Sequence, residues 1–307
     1  METRRTNLLK LLESVEVLQK EFEKNYSGHG LLKKFKRLIR YRGKYLRYCF
    51  AKFRSHSIKI NKTKTFWGAD FLSGDFAFYS HGLIGGSEIK LTKFLIKNID
   101  DNSVFYDIGA NVGYYSLLVK EISDSIEVHS FEPVPKTFEY LKKNLSKTQN
   151  IFFNQLAFFN KESQIDFYNM TEAGDSGCST FNASRAKSLV GFKKIKVQAT
   201  TLDKYCANHS KPTFLKIDVE GAESQVIEGG IKTLKETSPI ISMEVWRKPL
   251  DNASHLKAIE ILYNLGYKSY KIDNEGELEF IEKIDPERDV LKEDSCDNFD
   301  NFIFRKL

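Results

Sequence analysis

The chain has only four cysteines, Cys49, Cys178, Cys206 and Cys296, with no C-x-x-C pair and no histidine cluster beside them. That scarcity argues against a zinc site or a disulfide framework and suits a reducing compartment. No uncharged run of eighteen residues occurs and no apolar segment opens the sequence. Neither a membrane span nor a cleaved leader is therefore expected, and the expected location is cytoplasmic. Internal repeats and low-complexity tracts are also missing. Acidic residues vanish between positions 25 and 64, where thirteen Lys/Arg stand unopposed. The first 24 residues carry five charges of each sign, and the rest, from Thr65 on, holds 29 basic against 36 acidic residues. The molecule reads as an acidic body with a basic neck. Its 307 residues, 41% hydrophobic and 13% aromatic, suit one large α/β domain with an appendage.

Leu8, Leu11, Val15, Leu18 and Phe22 recur at spacings of three and four, which predicts an amphipathic helix. Its apolar face suits either its own domain or a second copy, so a homodimer is one expectation. The stretch 31–54 places Leu31, Phe35, Leu38, Leu46, Phe50 and Phe53 among basic residues. Residues 31–64 could lie peripherally on an anionic membrane at the inner face, each basic residue adding about 1 kcal/mol near the surface. A solvated basic face on a docked helix is the plainer alternative. Nucleic acid is not expected, because no RNA-binding motif accompanies the charge. From about residue 69 strands and helices alternate. Strands are predicted at 104–108, 126–131, 151–157, 213–218 and 239–245, and helices at 114–122, 136–145, 222–235 and 252–265. "SQIDFYNM" and "FKKIKVQATTL" add a strand pair around a polar loop, and "YKSYKID" and "NFIFRKL" add two late strands. This is the pattern of an α/β, doubly wound, mostly parallel sheet over 69–307, with an α-helical N-terminal extension over 1–68.

Ligands of open α/β sheets bind beyond the carboxyl ends of the strands. "VFYDIGANVGYYSLL" ends its strand near Asp107 and turns through Gly109, Asn111 and Gly113. Gly109 can adopt a backbone closed to other residues, Asn111 tolerates positive φ, and Gly113 lets a ligand or helix approach closely. The spacing departs from G-x-G-x-x-G, which weakens a dinucleotide reading and with it an NAD-dependent oxidoreductase. Glu132, nineteen residues after Gly113 in "HSFEPVP", can accept hydrogen bonds from both hydroxyls of a ribose. "FLKIDVEGAESQVIEGG" brings Asp218, Glu220 and Glu223 to the same sheet edge, with no basic residue at the glycine turn for a pyrophosphate. Carboxylates there suit a cationic sulfonium, so the expected cofactor is S-adenosylmethionine. For Glu220 and Glu223, stabilising the following helix N-terminus is the competing reading.

"VFYDIGANVGYYSLL", "VHSFEPVPKTFEYLKKNL", "NQLAFFNKE", "LKIDVEGAESQVIEGG" and "ISMEVW", in that order, resemble the FkbM-type S-adenosylmethionine-dependent methyltransferases. The resemblance covers roughly residues 82–307. It implies the class I methyltransferase fold, Rossmann-like with a seven-stranded sheet whose last strand is antiparallel, and methylation of oxygen in sugars or other metabolites. It implies that Asp107, Gly109, Asn111 and Gly113 surround the amino-acid and sulfonium end of the cofactor and that Glu132 holds the ribose. Gln155 falls near the adenine edge, and Asp218 lies closest to the methyl group. A hydroxyl acceptor benefits from a general base; the candidates are Asp218, then Glu220, then His81, with Glu88 in the same loop region as His81. Asp175 and Ser176, in the polar loop, and Glu244 are candidates for contacting a small-molecule or glycan acceptor. Asp218 and Glu244 could recruit a divalent cation, but no third ligand is evident in the sequence and no metal is expected. The expected activity is O-methylation of a sugar hydroxyl in a glycan, glycolipid or secondary metabolite. Its rivals are the oxidoreductase and an inert methyltransferase-like domain in a membrane- or RNA-binding protein.

Overall fold

The computed structural model describes residues 2–10, 12–13, 57–59, 65–67, 87–146, 148–169, 179–181, 192–290 and 299–306. His81, Asp175, Ser176 and the basic stretch 31–64, apart from one three-residue strand, lie outside the described residues. Residues 2–10 and 12–13 are helical (α1). A short antiparallel pair, β1 (Ser57–Lys59) and β2 (Thr65–Trp67), precedes α2 (Ser87–Asn98). The alternation then runs β3 (Val104–Ile108), α3 (Tyr114–Ile122), β4 (Glu127–Phe131), α4 (Pro135–Leu145) and β5 (Ile151–Asn154). A smaller sheet follows, made of β6 (Ala157–Phe158), β7 (Ser163–Asn169) and β8 (Lys193–Thr200). Next come α5 (Leu202–Cys206), β9 (Phe214–Ile217), α6 (Glu223–Glu228), α7 (Ile231–Thr237) and β10 (Ile240–Trp246). The chain closes with α8 (Ala253–Asn264), β11 (Lys268–Ile272), β12 (Leu278–Ile281), α9 (Pro286–Asp289) and β13 (Phe299–Arg305).

The main sheet has the order β12-β11-β13-β10-β9-β3-β4-β5. β5, β4, β3, β9 and β10 pair in parallel, while β13 inserts antiparallel between β10 and β11. This is the doubly wound, mostly parallel architecture expected from the alternation, with eight strands where seven were expected. The eighth, β12, forms a hairpin with β11. The turn is organised by Asp273, whose Oδ1 accepts the Glu275 and Glu277 N–H groups at 2.8 Å each, and by Gly276 at φ 78°. An edge strand only half buried on both faces gives no apolar run, so its sequence reads as a loop.

The central strands are buried on both faces, and β9 and β10 accordingly read as near-continuous apolar runs. Alternation along them divides the core. Tyr106, Ile108, Leu215, Ile217, Met243 and Val245 face one cluster with Val226, Leu234 and Leu262 from the helices. Phe105, Phe214 and Ile303 face another, with Phe94, Leu95 and Val119. α1 joins the second cluster through the buried Leu12, with Leu8 partly buried beside it. The Arg5 guanidinium donates to the carbonyls of Ile96 (2.5 Å) and Ile99 near the C-terminus of α2, where unpaired carbonyls and the helix dipole favour a cation. The described part of the amphipathic helix therefore packs on its own chain.

Two predicted elements break. The strand expected over 151–157 ends at Asn154, and Ala157–Phe158 pairs instead with β8 in the smaller sheet. The helix expected over 222–235 is two helices separated at Gly229 and Gly230. A Cβ at Gly229 would lie 2.2 Å from the Phe159 carbonyl oxygen, so the break lets the backbone of β6's neighbour come close.

Candidate active site

The turn after β3 is built by three residues with positive φ, Gly109 (81°), Asn111 (49°) and Gly113 (94°). At Gly109 a Cβ would sit 1.8 Å from the Asp218 carbonyl oxygen, so only glycine lets the β3 and β9 ends approach this closely. At Gly113 the space is taken by Leu141 and Leu145 of α4, the close helix approach expected there. Asp107 is buried at the last turn of β3. Its Oδ2 accepts the Ser116 N–H at 3.0 Å and the Ser116 hydroxyl at 2.6 Å, so it caps the first turn of α3 from outside the helix. Its Oδ1 is buried with no hydrogen-bond partner among the described residues, as is the Asn111 side-chain oxygen.

Glu132 is 6% exposed just past β4. Its two oxygens accept the Asn111 N–H (3.1 Å) and the Val134 N–H (2.8 Å). Burial pushes its pKa up to about 7 against these two donors, and the Asp107 and Asp218 charges add to the rise. The carboxylate is thus held rigidly by backbone, with its protonation poised near neutrality.

Beyond the turn lies Lys216, which reading the sequence missed. The β3–β9 register sets it directly beside Asp107. It is 3% exposed, and its Nζ donates to Asp218 Oδ2 at 2.9 Å and lies 4.8 Å from the centre of the Tyr115 ring. Burial disfavours its charge, but Asp218, Asp107 and Glu88 outweigh that and hold its pKa above the usual lysine value. The signal available in sequence was a lysine inside the otherwise apolar run "FLKI". Lys216 stands on β9 beside Asp107 and outside the lining of the cleft, and its charge is consumed by carboxylates. Glu88 on α2 meets the Tyr115 hydroxyl and accepts from Asn301 Nδ2 at 3.4 Å.

Next to Asp218 stands a second group of carboxylates. Asp218, Glu220 and Glu244 place oxygens within 4.8 Å of one another, a spacing that lets three carboxylates share one cation. The third ligand not evident in the sequence is thus Glu220, turned inward by a left-handed backbone (φ 57°). That conformation is buttressed by Thr180, whose hydroxyl donates to the Glu220 carbonyl at 2.5 Å. Glu244, in β10, is 5% exposed and accepts from the Trp246 indole N–H. Burial, followed by the Asp218 and Glu220 charges, lifts its pKa well above the carboxylate range. Glu223 is fully buried, its Oε2 lying 3.2 Å from His255 Nε2, and His255 packs on Trp246 with ring centres 4.5 Å apart. Glu223 Oε1 accepts the N–H of Gly221, in the loop ahead of α6, at 3.2 Å.

A cleft of about 640 Å³, open to solvent, joins these parts. Gly109, Asn111 and Glu132 line one side, Asp218 and Glu220 one end, and Phe131, Val134, Leu156 and Phe158 the apolar walls. Ser179 and Phe181 close it from the smaller sheet. Gln155 is exposed and does not line the cleft; the chain leaves β5 there, and it is Leu156 that turns inward. An apolar slot for a flat ring, a carboxylate placed for a diol and two buried acceptors without partners fit an adenosyl ligand bearing cationic and N–H groups.

Comparison with known proteins agrees. A family model described as Methyltransferase FkbM domain matches residues 107–269. Hexuronic acid methyltransferase AglP of Haloferax volcanii is 24% identical over 157 residues, 50% of this chain and 61% of that protein. 2-O-methyltransferase NoeI of Sinorhizobium fredii is 23% identical over 163 residues, 49% of this chain and 67% of that protein. The chain therefore spans about two thirds or less of the length of these relatives. Among solved structures, methyltransferase FkbM from Methylobacillus flagellatus KT is 12% identical with a TM-score of 0.44, over 68% of this chain and 44% of that one. Aeropyrum pernix fibrillarin, in complex with natively bound S-adenosyl-L-methionine, is 12% identical with a TM-score of 0.41, over 70% and 74% of the two chains. The family match runs from Asp107 at the glycine turn to the start of β11, more than half of the sequence: the chain belongs to the FkbM methyltransferase family, whose cofactor is S-adenosylmethionine.

Proposed function

We propose that this protein methylates a hydroxyl group of a sugar, using S-adenosylmethionine. When bound, the cofactor supplies a methyl group already activated on a sulfonium. The chain's own contribution is then positioning and proton management. Glu132 would hold the ribose hydroxyls, Asn111 and Asp107 the donors at the amino-acid end, and Phe131, Leu156 and Phe158 the adenine.

The observation that carries the sugar reading is the carboxylate group at the cleft, with Asp218 and Glu220 in its lining and Glu244 beside them. Asp218, Glu220 and Glu244 crowd within 4.8 Å of one another. Ionised carboxylates are acceptors only, so a cleft lined by Asp218 and Glu220 suits a ligand rich in hydroxyl donors. The likeness to AglP, a hexuronic acid methyltransferase, and NoeI, a 2-O-methyltransferase, supports an oxygen acceptor on a sugar.

The test pairs binding with turnover. S-adenosylhomocysteine at about 100 times its dissociation constant should stabilise the protein by about 2.7 kcal/mol, a thermal shift of several degrees. Turnover is read as S-adenosylhomocysteine release with a panel of neutral and hexuronic acid-containing oligosaccharides, against catechols and small amines. Methylation confined to the oligosaccharides supports the reading; methylation of an amine, or none with binding intact, sinks the sugar assignment.

A further inference from the structure

The smaller sheet has two unlike faces. Directly paired residues of neighbouring strands project to the same side, and successive residues to opposite sides. One side carries Phe167 and Phe181, whose rings stand 4.5 Å apart in the wall of the cleft. The other side is reached from Thr180, which exchanges backbone hydrogen bonds with Tyr168 at 2.9 and 3.0 Å, while Tyr168 pairs in turn with Lys194. Thr180, Tyr168 and Lys194 therefore share this outer face, and Phe192, two residues before Lys194, joins them. The Tyr168 and Phe192 rings meet edge to face, with centres 5.5 Å apart and an interplanar angle of 77°. Such a pair fixes both rings; Phe192 nonetheless stays 38% exposed. Of the other large apolar side chains well exposed among the described residues, Phe152, Leu256 and Phe280, none belongs to this sheet. The outer face begins at the acidic end of the cleft, because the Thr180 hydroxyl donates to the Glu220 carbonyl. From Thr180 to β8 it runs two strand spacings, about 10 Å. Lys194 and Lys196 both pair with Asp166, at 2.8 and 3.1 Å, so these three groups leave one positive charge on the exposed face.

We propose that Tyr168 and Phe192 form a second saccharide subsite, on which the unit next to the methylated sugar stacks, so that the acceptor is an acidic oligosaccharide and not a free monosaccharide. This rests on the sugar-methylation reading above and adds the size and charge of the substrate to it. With the methylated unit beside Glu220, a chain that leaves the cleft over Thr180 lies along the outer face. The distance to Phe192 is more than one sugar ring covers. A sugar offers an apolar C–H face to an aromatic ring, and its edge carries hydroxyls. In an acidic sugar that edge also carries a carboxylate, which the Lys194–Asp166–Lys196 group can meet with its surplus positive charge. A cross-strand aromatic pair by itself steadies a hairpin. That role leaves the exposure of Phe192 and the charge beside it unused.

The test is a glycan array of neutral and uronic acid-containing saccharides, from single units to hexasaccharides, read with S-adenosylhomocysteine present. Wild type should retain acidic di- and oligosaccharides but no monosaccharide. Phe192→Ala should weaken that retention at least about tenfold, as truncation of an anchoring ring does. Phe192→Trp, which keeps a ring, should hold the saccharides; Phe192→Leu, apolar without a ring, should not. Lys194→Gln should remove the preference for acidic over neutral saccharides. Every variant should keep the wild-type thermal shift with S-adenosylhomocysteine, since neither Phe192 nor Lys194 lines the cleft. Full retention by Phe192→Ala, monosaccharides held as well as oligosaccharides, or a wild type that retains no saccharide overturns the proposal. So does binding to anionic vesicles, and not to glycans, that Phe192→Ala loses, which would make the patch a lipid contact. Turnover separates this from the reading it rests on. Oligosaccharide methylation whose acceptor KM is untouched by Phe192→Ala keeps the sugar reading and sinks the platform. Retention that depends on Phe192, with no retained saccharide methylated, keeps the platform and sinks the sugar-methylation reading.

Discussion

The two ends of the cleft hold their carboxylates by different means. At the glycine-turn end Glu132 is gripped by two backbone N–H groups, and Asp107 by the first turn of α3. At the other end the supports are side chains: Lys216 for Asp218, the Trp246 indole for Glu244. Backbone donors come with the fold and survive every substitution except proline. Side-chain donors can be exchanged, so the acidic end is where this scaffold can be altered without losing its cofactor grip.

The sharpest way to break that contrast is Gly109→Ala. It forces a Cβ to 1.8 Å from the Asp218 carbonyl at φ 81° and so damages both ends together. A loss of about 4 kcal/mol or more is expected, seen as a fall of roughly 10 °C in Tm and no response to S-adenosylhomocysteine. Lys216→Met comes next and acts on one end. It leaves Asp107, Asp218 and Glu88 close together without their shared cation, for an expected loss of about 3–5 kcal/mol by chemical denaturation. If it cost less than 1 kcal/mol, the side-chain support would be dispensable and the contrast would fail.

Glu132→Gln gives the smallest loss and the clearest pH signature. The folded pKa of Glu132 is raised from the ordinary 4.5 to about 7. Its contribution to the ligand-free fold is therefore complete below about pH 4.5 and lost as pH rises through 7, a change of about 3 kcal/mol. Binding of a diol runs the other way, since hydroxyl donors favour the carboxylate. The dissociation constant of S-adenosylhomocysteine should weaken toward tenfold per unit as pH falls below 7 in wild type. Calorimetry on Glu132→Gln should show weaker binding with that slope gone; an unchanged slope would move the titration to another group.

Asp107, Gly109, Asn111, Gly113, Glu132 and Asp218 were legible in the sequence because each is placed by a local rule, the strand end or the sharp turn. Asn111 does adopt the positive φ anticipated for it. What was not legible depends on neighbours from distant elements. Lys216 takes its meaning from register with Asp107, and Trp246 from a helix that brings His255 behind it. Gln155 misled because β5 stops one residue earlier, so the inward position passes to Leu156. β12 escaped notice because an edge strand only partly buried on both faces carries no alternation.

The hydroxyl of Thr180 ties the smaller sheet to the peptide of Glu220. Mechanically, the wall that carries Ser179 and Phe181 and the loop that carries the acid are one part. Grafting a relative's polar loop onto this protein would thus transplant a setting of Glu220 along with any new acceptor contacts. A graft that kept a hydroxyl at position 180 would preserve that setting, whereas one with an aliphatic residue there would release the left-handed peptide and change chemistry and specificity in a single step.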